Sequence, residues 1–279
     1  MAIESHPRSA RGALGIAGRM IALLLFFACS SDAVARQAEA DAKPEARPIR
    51  ALYITGGGFH DFVAQERIIP EGIAARTNIE WTTDRTAGEA TDALIVRHEN
   101  TAWAEEFDVV VYNMSFSFVV NVEWIERLVN AHRDHGVAAV ILHGAVHSYR
   151  RSESNAWQRL MGASSFRHDS QREFTIEPVA TEHPIMRGIP EGWGPGVDEL
   201  YEIQDVFPGM TPLARAYSVE SEAYHPVIWT NTFGGAKVFV TSMGHNNRTM
   251  EDPVYLDLVT RGLLWTLDRL ESDGSLTAH

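Results

Sequence analysis

The chain has 279 residues, of which 45% are hydrophobic and 22% charged, a globular composition that excludes a disordered chain, a collagen-like repeat and a disulfide scaffold. Its formal net charge of −13 argues against nonspecific nucleic-acid binding, because a protein that neutralises phosphates needs a basic surface. Cys29 is the single cysteine, which excludes an intrachain disulfide and a thiolate metal cluster.

Residues 1–28 predict an exported protein. They carry three arginines and end in a short apolar run at residues 21–28, too short to span a bilayer as a mature helix. This order is typical of a secretory signal. The sequence around Cys29 resembles a bacterial lipoprotein cleavage site, where the cysteine becomes the lipidated first residue. We therefore expect a cell-envelope protein, lipid-anchored on the periplasmic side of the outer membrane. A plain signal peptide cut near Ala35, giving a periplasmic or secreted protein, is the alternative.

The rest of the chain divides into a linker, one domain and a tail. Residues 29–48 are rich in alanine, charged and small residues, which cannot form a core, and we interpret them as a lipidated tether. Residues 49–270 are long enough to bury one substantial core, so we predict a single domain there. Residues 271–279 follow as a short tail.

Strands and helices alternate along this domain. The first half predicts strands at residues 51–55, 79–82, 108–112 and 137–142, and helices at residues 64–76, at residues 122–135 and around Trp157. The second half predicts an exposed strand at residues 173–179, a hairpin from residues 227–230 and 237–241, and a last helix at residues 253–270. Continuous apolar strands that alternate with helices predict an α/β fold with a mostly parallel sheet covered by helices.

Histidines follow three of the predicted strands. His60 comes after the first strand, His143 after the strand at residues 137–142, and His245 after the second hairpin strand. Ligands in an open α/β sheet bind beyond the carboxyl ends of the strands, so we expect these side chains to share one cleft. His147 lies four residues after His143, a spacing that puts both imidazoles on one face of a helical turn. These four histidines are the candidate bases and the candidate ligands of a divalent metal, zinc or manganese; loop histidines satisfied by backbone groups are the alternative.

Other residues near the strand ends are candidates for substrate binding. Gly57 and Gly58 would allow substrate to approach the backbone closely, and Asp61 and Asn246 stand beside the histidines. Glu199 lies in an acidic pair that precedes an apolar and an aromatic residue, so it is a candidate general acid or acceptor of a sugar hydroxyl. An exposed acidic turn is the alternative for Glu199.

The remaining histidines are weaker candidates. We expect His98, His132 and His135 on or near exposed faces, and we interpret His183, which precedes a proline, as structural. His168 could face the same cleft as the strand-end histidines.

The order of these motifs resembles the ThuA-like family, named for trehalose utilisation. After the glycine and histidine loops come His-Pro-Ile-Met-Arg-Gly at residues 183–188 and Asp-Glu-Leu-Tyr at residues 198–201. Gly-Ala-Lys-Val-Phe-Val-Thr-Ser-Met-Gly-His follows at residues 235–245, and Arg-Gly-x-x-Trp at residues 261–265. The resemblance covers residues 51–268.

The resemblance implies a flavodoxin-like three-layer sandwich, the fold of the class I glutamine amidotransferases. Relatives with amidotransferase activity carry a nucleophilic cysteine at the turn after a central strand, where this chain has His143 followed by Gly144. Because no cysteine lies in the domain, we exclude glutamine amidotransferase activity. The family is linked to the metabolism of trehalose and related disaccharides, including their 3-keto forms.

Together these inferences predict an extracytoplasmic enzyme, a hydrolase, lyase or isomerase, that acts on a disaccharide, a glycoside or a 3-keto sugar. His-based acid/base chemistry suits a keto sugar, because removal of the proton beside the carbonyl needs a base with a near-neutral pKa, and His143 is the first candidate. A small carbohydrate is the expected partner, and the oligomeric state stays open. The alternative is a non-catalytic carbohydrate-binding lipoprotein of the envelope. Its candidate stacking surfaces are Trp81, Trp103, Trp193 and Trp229.

Replacing Cys29 removes the thiol to which a lipid would be attached. We expect Cys29→Ala to release the protein into the soluble fraction or to block its processing, and cell fractionation with immunoblotting checks this. Ser30, rather than aspartate, follows the cysteine, which favours sorting to the outer membrane. Ser31→Ala is the control that keeps the cysteine. A Cys29→Ala protein that fractionates like wild type contradicts the lipoprotein interpretation.

Overall fold

The computed structural model describes residues 47–276, so the predicted signal peptide, Cys29 and nearly all of the tether lie outside the described residues. The strands are β1 (Ile49–Gly57), β2 (Ile79–Arg85), β3 (Val109–Ser115), β4 (Ala138–Leu142), β5 (Ala163–His168), β6 (Arg172–Phe174), β7 (Glu177–Pro178), β8 (Gly196–Asp198), β9 (Tyr201–Val206), β10 (Thr211–Ser218), β11 (Ala223–Phe233) and β12 (Ala236–Thr241). The α-helices are α1 (Phe62–Ala74), α2 (Trp103–Glu106), α3 (Val122–His135), α4 (Ala156–Met161), α5 (Asn247–Glu251) and α6 (Pro253–Thr266). Within this part of the chain no helix combines the length and the apolar character that a membrane span requires.

A sheet of eight strands forms the middle layer, in the order β2-β1-β3-β4-β12-β11-β10-β7. The first five strands in this order run parallel, and β11, β10 and β7 continue the sheet as antiparallel neighbours. Two further sheets have two strands each, β5 with β9 and β6 with β8. Because the parallel strands share one direction, the carboxyl ends of β1, β3, β4 and β12 meet at the same edge.

Helices cover both faces of the central sheet. Every residue of β3 and β4 is buried, as expected for parallel strands that are covered on both sides. Ile125 and Leu128 of α3 pack on one face, and Ile69 of α1 and Leu263 of α6 pack on the other. The domain is therefore an α/β three-layer sandwich of the flavodoxin-like type, which confirms the predicted fold class.

Local sequence signals set the helix ends. Asp61 accepts a hydrogen bond from the N–H of Ala64 at the start of α1, and Asn121 does the same for Trp124 at the start of α3. α3 ends at Gly136, whose φ of 69° is the left-handed conformation that glycine adopts most easily. The sequence predicts this helix with the same ends.

Besides shifts of a few residues at the ends of other elements, two predictions differ from the structure. The exposed strand expected at residues 173–179 is two short strands, β6 and β7, which belong to different sheets. The chain bends between them because Ile176 is buried and its N–H donates to a loop carbonyl. The helix expected at residues 253–270 ends at Thr266, because Asp268 has a φ of 56°, which an α-helix does not accommodate.

The expectation that His98 and His132 lie near exposed faces is wrong, because both are fully buried. His132 donates from Nδ1 to the carbonyl of Val137 over 2.8 Å, and its Nε2 accepts a hydrogen bond from the hydroxyl of Tyr112 over 2.7 Å. The His98 ring packs against Trp103 at 4.8 Å between centroids. Neither ring nitrogen of His98 has a hydrogen-bond partner among residues 47–276.

Burial keeps His98 uncharged in the folded domain, because it lowers the pKa of the side chain from 6.5 to about 3. The unfolded chain binds a proton at this position near pH 6.5, so the free energy of unfolding falls as the pH drops from 6.5 toward 3. His98→Leu lacks this titration. When the pH falls from about 7.5 to about 5, we expect the free energy of unfolding of the variant to decrease by about 2 kcal/mol less than that of wild type.

Urea unfolding of both proteins at the two pH values measures this difference. His135→Leu is the matched control, because His135 is an exposed histidine at the end of α3. An equal pH dependence for His98→Leu and wild type contradicts the argument.

Candidate active site

Three imidazoles meet at the carboxyl edge of the sheet. His60 follows β1, His143 follows β4 and His245 follows β12. The ring centroid of His60 lies 4.9 Å from that of His143 and 4.9 Å from that of His245, and the last two rings are 5.4 Å apart. Glu199, from the segment between β8 and β9, places Oε2 3.6 Å from His143 Nε2 and 3.2 Å from His245 Nδ1. We call these four residues the His/Glu cluster.

Backbone carbonyls orient two of the rings. His60 Nδ1 lies 3.2 Å from the carbonyl of Gly58, and His143 Nδ1 lies 2.7 Å from the carbonyl of Ser242, so each ring donates its proton from Nδ1. The Nε2 atom of each ring therefore faces the cluster. His143 Nε2 lies 3.2 Å from the hydroxyl of Tyr201. His60 Nε2 is buried with no hydrogen-bond partner among residues 47–276, as expected for an atom that a metal would engage.

A buried carboxylate positions His245. Asp198 is fully buried and accepts the N–H groups of Gly244 and His245 at 2.9 Å and 3.1 Å, and the hydroxyl of Thr249 at 2.9 Å. On the ring itself, Gln171 Nε2 lies 2.9 Å from His245 Nε2. His245 Nδ1 therefore faces the cluster. The sequence analysis gave Asp198 no separate role and missed Gln171, whose loop carries no periodic signal.

The pKa values in the cluster depend on the contacts of Glu199. Burial alone would raise the pKa of Glu199, but the contacts with His143 and His245 outweigh it and hold the pKa well below its ordinary value. The same carboxylate raises the pKa of His245, against the effect of burial. Burial, followed by the charges of the two other imidazoles, lowers the pKa of His60 from 6.5 to about 3. The cluster thus contains an ionised carboxylate and a neutral imidazole, the protonation states that bind metal ions.

The spacing of the cluster fits one metal ion. Its ligand atoms all lie within 4.8 Å of one another. A tetrahedral zinc ion with bonds of about 2.0 Å keeps its ligand atoms about 3.3 Å apart, so small side-chain movements would complete such a site. Imidazole nitrogens with one carboxylate suit zinc or manganese. The sequence analysis named His147 as the fourth ligand, and the structure puts Glu199 there instead.

His147 lies apart from the cluster because the turn after β4 is a 3-10 helix, His143–His147. With about three residues per turn, residues four apart do not share a face, so the argument from α-helical spacing fails here. His147 Nε2 lies 2.8 Å from Ser165 Oγ, and its ring stacks on Tyr201 with 3.8 Å between centroids and 4° between planes. Burial lowers the pKa of His147 well below 6.5.

Glycines let the backbone and the rings approach each other. A Cβ at Gly57, where φ is 100°, would lie 2.3 Å from the carbonyl oxygen of Ser115, so this glycine permits the pairing of β1 with β3. A Cβ at Gly144 would lie 2.9 Å from the ring of His60. Gly58 orients that ring through its carbonyl. The glycines expected to admit substrate, Gly57 and Gly58, thus shape the site and do not line it.

The two polar residues expected to contact substrate also have structural partners. Asp61 caps α1 and accepts a hydrogen bond from Asn247 Nδ2 at 2.7 Å. Asn246 Nδ2 donates to the carbonyl of Val197 at 2.8 Å. Both side chains tie the loops after β1 and β12 to their neighbours, which holds the histidines of those loops in place.

A cleft of about 160 Å³ opens on the cluster. Besides the cluster residues His60, Glu199 and His245, its walls are Phe59, Ser115, Ser117, His147, Arg150, His168 and Tyr201. Sequence reasoning missed the two serines and Arg150, whose only signal is their position at the end of β3 and in the loops after β3 and β4. An open groove of about 620 Å³ beside β2 is larger but contains none of these histidines, so we place the site in the smaller cleft.

None of the four tryptophans expected to stack on sugars lines this cleft. Trp103 and Trp229 are buried, and Trp81 and Trp193 pack against the core. The exposed aromatic residue at the cleft is Phe59, with 70% of its surface accessible and a φ of 77°, a strained value for a residue with a Cβ.

Comparison with known proteins agrees with this architecture. The family model of ThuA, described as trehalose utilisation, matches residues 53–266. The chain belongs to the ThuA family. A ThuA-like protein from Parabacteroides merdae has a similar structure, with a TM-score of 0.66 and 19% sequence identity over 84% of this chain and 93% of that chain. The comparison with curated proteins found no match.

Two other solved structures align with this ThuA domain at lower scores. A β-galactosidase from Rahnella sp. R3 aligns with a TM-score of 0.48 and 11% identity, over 80% of this chain and 32% of that chain. The glutaminase domain of a Trypanosoma brucei CTPS aligns with a TM-score of 0.42 and 11% identity, over 76% of this chain and 93% of that chain.

Asp198→Ala leaves the backbone N–H groups of Glu199, Gly244 and His245 without their acceptor. We expect the free energy of unfolding to fall by about 3 kcal/mol or more. We also expect zinc affinity to fall roughly 10- to 100-fold, because His245 loses its support. Urea unfolding and zinc titration measure the two effects. Asp268→Ala is the control: this exposed carboxylate pairs with Lys237, so its loss costs about 1 kcal/mol or less. Wild-type stability in Asp198→Ala contradicts the assigned role.

Proposed function

We propose that this ThuA domain is a metal-dependent, sugar-active enzyme of the cell envelope. Its substrate is a disaccharide or glycoside, including a 3-keto form, and its reaction is a hydrolysis, elimination or isomerisation. The observation that carries this proposal is the convergence of three imidazoles and one carboxylate on a small cleft. A protein that only binds sugars has little need of several imidazoles in one place, whereas a catalyst uses them as ligands and bases.

The His/Glu cluster is assigned to a divalent ion, zinc or manganese. When bound there, such an ion supplies Lewis-acid polarisation of a carbonyl or hydroxyl oxygen. The sequence analysis gave His143 the role of general base, but only 1% of its surface is accessible and its Nδ1 proton is held by a carbonyl. These contacts favour a ligand role for His143.

His168 is the better candidate for the base. Its Nδ1 donates to the carbonyl of Asp169 over 2.8 Å, which leaves the Nε2 lone pair free. Nε2 lies 3.7 Å from Glu199 Oε2, and 38% of the side chain is accessible in the cleft. His147, the other cleft histidine outside the His/Glu cluster, is buried against Ser165. His168 is thus placed to take a proton from the carbon beside a substrate carbonyl.

The size and the rim of the cleft support a sugar ligand. About 160 Å³ is smaller than the roughly 300–1,000 Å³ of sites for drug-sized ligands, so the cleft holds one sugar unit and leaves a second unit outside. Phe59 offers an exposed ring face at its mouth, on which the apolar face of a sugar can pack. The strained backbone of Phe59 supports a role in function, since strain of this kind clusters at ligand sites.

Export to the cell envelope is also proposed. The apolar N-terminal run and Cys29 support export and lipid anchoring, so the substrate would be met outside the cytoplasm.

A chelator and one substitution test the proposal together. With trehalose, other disaccharides and their 3-keto forms as substrates, we expect the purified protein to lose turnover in chelator and to regain it with zinc or manganese. We expect His168→Gln to lower turnover roughly 10²- to 10⁴-fold, the usual contribution of a general base. Its metal content should stay that of wild type, because His168 lies outside the His/Glu cluster.

His225→Gln is the matched control, since His225 bonds to Ser221 and Ile203 away from the cleft. Sugar turnover that survives complete metal removal argues against the metal role. Equal turnover in His168→Gln and wild type argues against the base. A protein that binds sugars without converting any of them supports the carbohydrate-binding alternative instead.

A further inference from the structure

We propose that the cleft contains a subsite for an anionic group of the substrate, built on Arg150 and Ser117. The inference deepens the proposed sugar-active function, on which it rests, by naming the substrate class as an acidic sugar. The shared chemistry is a cluster of anionic oxygens, supplied by a carboxylate or a phosphate.

Arg150 is a cation without a paired carboxylate among the described residues. It lines the cleft and is partly buried, and its Nη1 donates to the carbonyl of Phe166 over 2.8 Å. Among residues 47–276 no carboxylate pairs with it, and burial lowers its pKa. Removing a guanidinium from water without an opposite charge is unfavourable, and an anionic ligand offsets that cost. The guanidinium carries five N–H donors in a planar fork, which matches carboxylate and phosphate oxygens.

A strained backbone turn positions Arg150 at the cleft. Tyr149, directly before it, is fully buried and has a φ of 58°, the left-handed region that residues with a Cβ rarely occupy. The N–H of Tyr149 donates to the carbonyl of Phe116 over 3.1 Å, which fixes the strained turn against the loop after β3. Strain held in this way is typical of ligand-binding positions.

Ser117 supplies a second donor. Only 1% of its surface is accessible, it lines the same cleft, and its hydroxyl has no hydrogen-bond partner among the described residues. A buried hydroxyl without a hydrogen-bond partner is unfavourable unless a ligand forms a hydrogen bond with it. Ser117 comes from the loop after β3 and Arg150 from the loop after β4, so one anionic group between adjacent loops can engage both.

Three other arginines of the domain have side-chain partners. Arg97 pairs with Asp84 at 2.5 Å, and Arg215 pairs with Glu177 at 3.1 Å. Arg151, the neighbour of Arg150, places its guanidinium 4.0 Å from the ring centre of Phe118. Because the whole chain carries a net charge of −13, a preference for anions has to come from local donors.

Calorimetric titration of the metal-loaded protein with three probes tests the subsite. D-Glucuronate carries a carboxylate, D-glucose 6-phosphate carries a phosphate and D-glucose is neutral. We expect at least one anion to bind roughly 10-fold or more tightly than glucose, the usual effect of charge-assisted hydrogen bonds. Arg150→Gln should abolish this preference, and Arg150→Lys should keep part of it. Arg151→Gln, the matched control, should keep all of it.

The outcomes separate this inference from the proposed function. Arg150→Gln keeps the His/Glu cluster, so an anion preference that persists in this variant comes from the metal and overturns the subsite. Equal binding of all three probes, or no binding of either anion, also overturns it. Arg150-dependent anion binding without turnover of any sugar supports the subsite and counts against the proposed function. The stronger of the two anions identifies the group as carboxylate or phosphate.

Discussion

The site depends on the contacts that compensate the buried charge of Glu199. A carboxylate taken out of water costs several kcal/mol unless opposite charge and hydrogen bonds compensate it. Here the compensation comes from His143 and His245, each within 3.6 Å, and from Gln171 Nε2 at 3.3 Å. The imidazoles in turn need the carboxylate, because like groups packed at this distance disfavour each other's charged form. Within the cluster, Glu199 raises the pKa of His245, and the charges of the two other imidazoles add to the effect of burial in lowering the pKa of His60.

Two consecutive residues connect this cluster to the core. Adjacent side chains of an extended segment point in opposite directions, so Asp198 and Glu199 contact different parts of the protein. Asp198 faces the protein interior and fixes the backbone of the loop after β12. Glu199 faces the imidazoles. An acidic pair that looks like a surface turn in the sequence thus supplies both one member of the His/Glu cluster and the support for another member.

The sequence predicts the parts of the site that depend on strand order. Continuous apolar runs that end in glycine mark β1 and β4, and the rule that parallel strands end at one edge brings His60, His143 and His245 together. It does not predict the side-chain directions. The turn at His143–His147 is a 3-10 helix, which turns His147 away from His143. Arg150 and Ser117 lie in loops, where no periodicity marks a residue as facing a cleft.

The sequence pattern gives little information about whether a histidine is buried, because histidine occurs both on the surface and in the core. His132 follows Leu128 by four residues and so lies on the buried stripe of α3, a signal that helical spacing contains but that the residue type obscures. His98 has no comparable signal. Its burial among aromatic rings depends on how a short 3-10 turn, Val96–Glu99, packs on α3, which is a tertiary property.

The His/Glu cluster draws its members from places as far apart as residues 60 and 245, each held at the end of a strand or beside one. Bringing such distant segments together reduces the conformational entropy of the chain, and this reduction occurs when the sheet forms. In a small metal-stapled domain the ion itself must compensate that loss, so metal binding and folding are one event. Here the burial of two apolar helix–sheet interfaces compensates it, so the His/Glu cluster forms together with the sheet. The proposed metal role therefore does not require the ion to hold the chain folded, which leaves cation affinity free to serve selectivity and exchange.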